Sequence, residues 1–245
     1  MGPFTDEERY LFDLQGFLVR RGALSPAEVD AANAAIDAMH LPRPGQEIMS
    51  QRFTGHCIHE PLRALIDHPA VLQIAAELCG GSVRLDHTYG IVMAPGTSGL
   101  GLHGGGVPWD PAQYYVVDAE GIHCGLIAVQ WALGDAWPGH GGFCCIPGSH
   151  RGAFPMPDGI DMQHPAVREI PLQAGDMVVF TEALTHGTLP WQGPEDRRTV
   201  LYKYSPGSSA WGRDLPLSPE VMEVLTPRQR LLCQPPSVSH HQPVL

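Results

Sequence analysis

Residues 174–191 read AGDMVVFTEALTHGTLPW and decide the fold class of this chain. Gly175-Asp176 is a turn signal, and the apolar run Met177–Thr181 that follows it is typical of a buried strand. We expect His186 at the far end of this strand, directly before the next turn. From Ser82 onward the chain repeats this scheme of short apolar or alternating runs between Gly and Pro turns. The pattern predicts a β-rich body.

Helical patterns precede this body. Ser25, Pro26 and Glu28 form an N-cap signature that predicts a helix from Ser25 to about Met39. A shorter helix ends near Gln15-Gly16 and leads into a strand at Phe17–Arg20. Further helical stretches cover 61–67 and 69–78, and the predicted strands are 83–93, 126–133, 142–146, 169–172, 177–181 and 198–204.

This order of elements favours a mainly β fold of the α+β class, a sandwich or barrel flanked by N-terminal helices, over an alternating βαβ sheet. We expect one domain over residues 1–245, with a helical part at about 1–80 and a β core at about 82–213. A helix at Ser218–Leu225 and a mobile Pro/Ser/His-rich tail complete the segment 214–245.

Composition excludes several classes of function. The chain has 245 residues, 43% of them apolar, and a formal charge of −11, so a basic surface for nucleic acid is not expected. Apolar stretches such as Leu126–Val129 fall far short of the roughly 20 residues that span a bilayer. The acidic N-terminus lacks a secretory pattern, so we expect a cytoplasmic protein without a membrane segment. The six cysteines show no C-x-x-C pair, and we expect free buried thiols.

Two histidines are candidates for a metal site. His103 follows a glycine-rich stretch, Gly99-Leu-Gly-Leu, and His186 stands beyond a strand far along the chain. Histidines at strand ends are a common way for a β-barrel to assemble a metal centre. The alternative is that each is a turn histidine that hydrogen-bonds backbone.

Arg197 and Arg198 follow His186 by eleven and twelve residues. An arginine on a strand beside a metal-binding strand can hold a carboxylate with two parallel hydrogen bonds, which a lysine cannot. One of the two is a candidate anion anchor. The alternative is a pair of solvated residues at an exposed strand end.

The chain resembles the phytanoyl-CoA dioxygenase family of Fe(II)- and 2-oxoglutarate-dependent oxygenases. The matching pieces occur in the family's order between Leu11 and Arg213. They are 16–25, Val92-Met-Ala-Pro-Gly, 142–151 with Ser149-His-Arg, Ala174-Gly-Asp176, His186-Gly-Thr and Arg197. The resemblance implies a double-stranded β-helix, the cupin-like jelly roll, and the use of Fe(II), 2-oxoglutarate and O2. It also implies iron ligands at His103 and His186 and a 2-oxoglutarate anchor at Arg197, with Arg198 as the alternative.

The sequence departs from the family at the third iron ligand. The family motif is His-x-Asp, whereas this chain reads His103-Gly104-Gly105. Four explanations stay open: a halide in the vacant position, as in the related iron halogenases; Asp110 folded back as a substitute; His123 as a third nitrogen ligand; or water. Our first expectation is an oxygenase with a substitute ligand or water, and Asp110 is our metal candidate.

Aromatic residues near the histidines are candidates for contact with the substrate. They are Trp109, Tyr114, Tyr115, Trp191 and Trp211. The long segment between Gly104 and Gly121 is expected to act as a lid. We predict oxidation of a small neutral or cationic metabolite, with sugars among the candidates, by hydroxylation or oxidative ring closure in specialised biosynthesis. Alternatives are a halogenase, a non-catalytic jelly-roll binding protein and, last, a cupin-type isomerase. The oligomeric state is not predicted.

Overall fold

A computed structural model describes residues 4–42, 51–213, 217–239 and 242–245. Its helices are α1 (Asp6–Gln15), α2 (Pro26–Ala38), α3 (Glu60–Arg63), α4 (Pro69–Cys79), α5 (Pro219–Val224) and α6 (Pro227–Leu232). Short 3-10 turns lie at His56–Ile58, Ala64–Asp67 and Ser149–Arg151. Within the described ranges, no helix has both the length and the apolar character that crossing a membrane demands.

The N-terminal helices begin and end at residues that the sequence marks. Ser25 caps α2, where its backbone N–H donates to Glu28 at 2.7 Å and its hydroxyl accepts from the Glu28 amide. Thr5 and Glu8 form the equivalent capping box at α1. α1 ends at Gly16, where φ is 81° and an added Cβ would lie 2.6 Å from Nδ1 of His150. Only glycine fits this close approach without strain.

Twelve strands follow or interleave with these helices. They are β1 (Phe17–Arg20), β2 (Gln51–Phe53), β3 (Val83–Met93), β4 (Leu100–His103), β5 (Tyr115–Val117), β6 (Ile122–Cys124), β7 (Ile127–Ala132), β8 (Gly142–Cys145), β9 (Arg168–Glu169), β10 (Met177–Thr181), β11 (His186–Leu189) and β12 (Arg197–Pro206). A six-stranded sheet has the order β1-β10-β7-β12-β3-β2, a four-stranded sheet has the order β4-β11-β8-β9, and β5 pairs with β6. All the strand pairs are antiparallel. The predicted combination of helices with a β-rich body is confirmed, and its sheets are antiparallel.

The large sheet has two differently buried faces. Val200, Tyr202 and Tyr204 of β12 join the apolar core that packs against the helices. On the opposite face, Phe180 packs on Phe143 of the small sheet, with ring centroids 4.7 Å apart. Because strand residues alternate between faces, the odd-numbered residues Arg197–Lys203 of β12 point into the space between the two sheets. This space holds the candidate site.

Two expectations about strand placement are wrong. His186 does not end β10. Residues 182–185 instead cross from the large sheet to the small one, and His186 opens β11 there. β12 pairs with β7 and β3, so Arg197 lies on the opposite sheet from the histidines and not on a strand beside them. Closeness in sequence does not show that residues 182–185 carry the chain from one sheet to the other.

The segment after α5 contains a helix that the sequence analysis did not predict. α6 follows α5 directly and begins with a second capping box, formed by Thr226 and Gln229. Leu232, Cys233 and Val244 are buried in the helix-side core. The Pro and Ser content of this segment marks caps and turns, and its apolar residues pack. Residues 214–216, 240 and 241 of the predicted tail lie outside the described residues.

Candidate metal centre

His103 and His186 meet across the small sheet. They are register partners on β4 and β11, and their ring centroids lie 4.2 Å apart. His186 is buried whereas His103 is exposed, so the pair lies where the space between the sheets opens to solvent. The strand pairing therefore brings together the two residues that the sequence predicted.

Backbone carbonyls select the tautomer of both rings. Nδ1 of His103 lies 2.9 Å from the Gly101 carbonyl oxygen, and Nδ1 of His186 lies 2.7 Å from that of Leu184. Since a carbonyl only accepts, Nδ1 must carry the proton, and the lone pair of each neutral ring is on Nε2. Burial, with a smaller contribution from His103, lowers the pKa of His186 to about 4 although Glu182 acts in the opposite direction. His186 is then neutral near neutral pH, as a metal ligand must be.

The third ligand predicted at Asp110 is not in place. Among the described residues, no group of three His, Cys, Asp or Glu side chains is arranged to hold a metal ion. Oδ1 of Asp110 accepts the Ala112 amide at 2.7 Å, which commits the carboxylate to its own turn. His123 pairs with Asp118 at 3.0 Å on β6. Neither substitute joins the two histidines.

Gly105 occupies the position of the missing carboxylate. Its φ is 114°, and an added Cβ would lie 3.1 Å from Oγ1 of Thr185. The preceding Gly104 is tighter still, because its Cβ would lie 2.6 Å from the Leu184 carbonyl oxygen. The backbone here approaches the β10–β11 turn too closely for an ordinary side chain. Two imidazoles stand together here, and among the described residues no third metal-ligating side chain joins them.

A cavity of about 60 Å³ lies against the histidines, between the sheets. Its lining residues are Arg52, Tyr89, Ile91, Leu100, His103, Gln130, Phe143, Phe180, His186, Gly187, Thr188 and Leu201. Nε2 of Gln130 is buried and has no hydrogen-bond partner among the described residues. A buried amide that is left unpaired costs free energy unless a ligand completes it.

Arg197 is a buried cation at the start of β12. Only 4% of the residue is exposed, and no described carboxylate pairs with it; its Nη1 lies 3.4 Å from Sδ of Met93. Burial lowers the pKa of Arg197 to about 10, which leaves it charged. The guanidinium packs on Gly142, where an added Cβ would lie 2.8 Å from Nε. Thr199, on the same face, also carries a buried hydroxyl with no described partner.

Arg198 does not serve as the alternative anchor. Its side chain points to the helix side of the sheet, where Nη1 lies 2.8 Å from Oδ1 of Asp37 on α2. Adjacent strand residues face opposite ways, so Arg197 and Arg198 lie on opposite faces of the sheet. Arg197 is buried without a described acid partner, whereas Arg198 forms a partly exposed ion pair. Of the two arginines, the unpaired buried one fits an anionic ligand.

Sequence reasoning missed a buried ion pair beside the histidines. Glu182 and Lys203 are both buried, and Nζ of Lys203 lies 2.8 Å from Oε1 of Glu182. Burial raises the pKa of Glu182, but Lys203, His186 and His103 together lower it below its ordinary value. Glu182 stands four residues before His186, and Lys203 is the lone lysine of the chain. A charged residue of each sign within two apolar strand patterns was the signal that could have found them.

The predicted substrate aromatics divide into three kinds. Trp191 is a structural residue, because 1% of it is exposed and Nε1 donates to the Glu195 carbonyl oxygen at 2.7 Å. Trp109 stacks on Tyr114, with centroids 5.5 Å apart, outside the cavity lining. The hydroxyl of Tyr115 donates to Asp13 on α1, and its pKa is raised by burial. Packing, which the sequence does not show, separates these roles.

Trp211 connects to the cavity through a stack of rings. It lies 5.4 Å from His87, which lies 6.0 Å from Tyr89, and Tyr89 lines the cavity. The guanidinium of Arg52 lies 3.6 Å from the Tyr89 centroid on the same wall. We call Trp211, His87, Tyr89 and Arg52 the aromatic wall. Tyr89 and Arg52 are site residues that the sequence analysis did not single out.

Asp176 of the Gly-Asp motif has a structural role. Its Oδ1 accepts the Gly22 amide at 2.9 Å, and its Oδ2 accepts from Gln173 and from Arg21. These bonds join the chain after β1 to the turn before β10. The motif therefore positions the strand that leads to the site without entering the site.

Comparisons with known proteins identify the family. A family model described as phytanoyl-CoA dioxygenase matches residues 12–199, a range that includes both histidines and Arg197. HygX from Streptomyces hygroscopicus, solved with nickel and 2-oxoglutarate bound, is 24% identical, with a TM-score of 0.77 over 89% of this chain and 93% of HygX. SnoK, a non-heme alpha ketoglutarate dependent carbocyclase from nogalamycin biosynthesis, is 18% identical, with a TM-score of 0.63 over 87% of this chain and 91% of SnoK.

SnoN, the epimerase of nogalamycin biosynthesis, is 17% identical, with a TM-score of 0.62 over 82% of each chain. No curated protein matches the sequence. At these identities the solved structures show a shared fold, while the family model covers most of the chain. The predicted resemblance is confirmed: the chain belongs to the phytanoyl-CoA dioxygenase family of iron- and 2-oxoglutarate-dependent enzymes.

Proposed function

We propose that the protein is an Fe(II)- and 2-oxoglutarate-dependent dioxygenase that oxidises a small metabolite. One observation carries the proposal. Two imidazoles whose Nε2 atoms are free and a buried arginine that has no described acid partner share the space between the sheets. When bound, iron and 2-oxoglutarate supply the means to activate O2 for the oxidation of a carbon–hydrogen bond.

The residues of the chain fit these cofactors. Nε2 of His103 and Nε2 of His186 are free to bind the metal, since each Nδ1 is held by a carbonyl. Arg197 can grip the far carboxylate of 2-oxoglutarate with two parallel hydrogen bonds, assisted by the Thr199 hydroxyl. Phe143 and Phe180 line the cavity beside the two histidines, and apolar walls strengthen charge interactions. In this proposal β4 and β11 carry the metal ligands and β12 carries the anchor.

We infer that the two sheets form the double-stranded β-helix predicted for the family, as one domain with its flanking helices. The support is the antiparallel order of both sheets and the apolar contact of Phe143 with Phe180 between them. In this arrangement the inner face is dry and the open end faces solvent, which suits a small substrate.

For the substrate, we propose a sugar-containing small metabolite of specialised biosynthesis, changed by hydroxylation or oxidative ring closure. HygX has been solved with hygromycin B bound, and SnoK and SnoN belong to nogalamycin biosynthesis. The aromatic wall leads outward from the cavity, and its stacked faces with a polar guanidinium suit a sugar ring.

Gly105 supports one alternative, a halogenase. No described side chain fills the position of the third ligand, so a halide can occupy it. Water can occupy the same position, as expected for an oxygenase. A spectrum that changes with chloride would distinguish a halogenase from an oxygenase.

An anaerobic titration with Fe(II) and 2-oxoglutarate tests the proposal. We expect a weak visible charge-transfer band that does not change with chloride, and succinate once O2 and a substrate are supplied. A band that shifts with chloride would favour the halogenase, and the absence of any band would leave a non-catalytic binding protein.

The matched variants are His186→Ala, His123→Ala and Asp110→Asn. We expect His186→Ala to abolish the band, since it removes one of two nitrogen ligands. His123→Ala and Asp110→Asn should keep it, because both side chains are committed to other partners. Loss of the band in either of these two would restore that residue as the third ligand.

A further inference from the structure

Three buried carboxylates occur among the described residues, and they differ in how fully they are paired. Asp176 accepts from Gly22, Gln173 and Arg21. Asp86 interacts with Arg84, with His87 and with the amides of Trp211 and Gly212. An ionised carboxylate has about four acceptor sites, so both are close to saturated.

Glu182 is different. Its described partner is Lys203, 2.8 Å away, and no backbone N–H among the described residues donates to it. It is 4% exposed, and its partner is itself buried. This leaves a buried charged group with most of its acceptor sites unused, which is costly unless another positive charge also uses it.

The backbone ties Glu182 to both histidines. The turn that begins at Glu182 contains Leu184, whose carbonyl oxygen holds Nδ1 of His186. From the other strand, Gly104 approaches so closely that an added Cβ would lie 2.8 Å from the Glu182 carbonyl oxygen. Its carboxylate reaches the cavity wall through Lys203, whose Nζ lies 2.8 Å from Oε1 of Glu182 and 5.7 Å from the centroid of Tyr89, which lines the same cavity as both histidines. Glu182 is therefore built into the frame of the metal centre.

The charges around the cavity show what the centre lacks. An imidazole binds a metal through an uncharged ring nitrogen, so neither histidine brings negative charge, and Gly105 stands where the family has a carboxylate. Arg52 and Lys203 place two positive charges near the Tyr89 ring, at 3.6 and 5.7 Å from its centroid. Glu182 neutralises Lys203, so without Glu182 a divalent cation in this cavity would be repelled by both side chains.

We propose that Glu182 supplies the compensating negative charge for the metal centre, as a positioning residue that acts through space, with Lys203 as the partner that holds and partly neutralises it. The inference rests on the proposed function, because it concerns the metal that the two histidines bind. In this proposal Glu182, four residues before His186, provides the negative charge that a carboxylate ligand provides in the family. The substitution at Gly105 is then compatible with tight metal binding.

The test is whether two single substitutions change the Ni(II) affinity in opposite directions. Glu182→Gln removes the negative charge at constant shape and should weaken Ni(II) binding about 10- to 100-fold, the usual size for residues that support metal ligands. Lys203→Met removes the competing positive charge and should strengthen Ni(II) binding several-fold. The double variant, which removes one charge of each sign, should bind Ni(II) with an affinity between those of the two single variants. Binding is measured calorimetrically at pH 8 without 2-oxoglutarate, so no turnover is needed.

Glu8→Gln is the matched control. Glu8 pairs with the buried Arg20 at 2.8 Å on the helix side of the fold, and its loss should leave the Ni(II) affinity unchanged. Thermal unfolding of each variant confirms that it is folded. If Glu182→Gln fails to fold, Lys203→Met alone decides the question by whether it tightens or weakens Ni(II) binding.

A purely structural ion pair would change the Ni(II) affinity in the same direction in both single variants, or in neither, and either result overturns the inference. A wild-type protein that binds neither Ni(II) nor 2-oxoglutarate overturns the proposed function itself. The two failures are distinct, because the first requires a wild-type metal site that works.

Discussion

The two faces of β12 are both buried but are completed in different ways. On the helix side, the Tyr204 hydroxyl donates to the Ile66 carbonyl oxygen at 2.8 Å, and Arg198 pairs with Asp37. On the inner side, Arg197 has no described acid partner, and the Thr199 hydroxyl has no described hydrogen-bond partner. On its helix side β12 thus carries paired polar groups, whereas on its inner side two buried polar groups lack a described partner beside the paired Lys203.

The difference separates structure from function. Buried polar groups are nearly always paired, because an unpaired one costs about 1 to 3 kcal/mol. A face on which several remain unpaired is one that a ligand completes. Burial alone does not distinguish Tyr204 from Arg197, whereas the state of their hydrogen bonds does. Each prediction below alters one face of β12 and leaves the other unchanged.

The largest effect is expected for Arg197→Met. Removing one partner of a buried charge pair costs about 2 to 5 kcal/mol, so the affinity for 2-oxoglutarate should fall by a factor of roughly 30 or more. Without 2-oxoglutarate, the free energy of unfolding should not decrease, because the variant removes an unpaired buried charge. Thermal unfolding with and without 2-oxoglutarate measures both. A variant that 2-oxoglutarate still stabilises as well as wild type would move the anchor elsewhere.

Tyr204→Phe should act on stability alone. The substitution leaves the buried Ile66 carbonyl oxygen without its partner and should lower the free energy of unfolding by about 1 to 3 kcal/mol. Denaturant unfolding measures this cost, and a titration should show unchanged affinity for 2-oxoglutarate. A large loss of that affinity would show that the two faces are not independent.

Thr199→Val should show the opposite pattern to Tyr204→Phe, with weaker 2-oxoglutarate binding and no loss of stability. The substitution keeps the shape but removes a hydroxyl that has no described partner, so the free energy of unfolding should not decrease. The affinity for 2-oxoglutarate should fall by about 0.5 to 1.5 kcal/mol if this hydroxyl completes its hydrogen bond in the complex. Unaltered affinity in a folded variant would place Thr199 outside the 2-oxoglutarate site.

Arg198→Ala should show the smallest effect. Its ion pair with Asp37 is partly exposed, and such pairs contribute about 0.2 to 1 kcal/mol to stability. We expect a small decrease in the unfolding free energy and no change in the 2-oxoglutarate requirement. Beside Arg197→Met, this variant is the control for charge removal at the adjacent position. If Arg198→Ala weakened 2-oxoglutarate binding as much as Arg197→Met does, Arg198 would also have to be an anchor for 2-oxoglutarate.

Local features of the fold were predictable. Capping residues mark where α1 and α2 begin, and short apolar runs locate β3, β7, β8 and β10, because these signals act within a few residues. The crossing from β10 to β11 was not predictable, since nothing within residues 182–185 states which sheet the next strand joins. Helix α6 was not predicted, although Thr226 and Gln229 form a capping box at its start.

By itself, the sequence predicted the family from motifs in a fixed order, and that resemblance predicted three residues of the candidate site, His103, His186 and Arg197. Only the tertiary structure decided that Arg198 pairs with Asp37, that Trp191 is buried, that Asp110 accepts the Ala112 amide and that Glu182 pairs with Lys203. The physical reason is that the availability of a side chain depends on partners distant in sequence. Those partners exist only once the two sheets have packed.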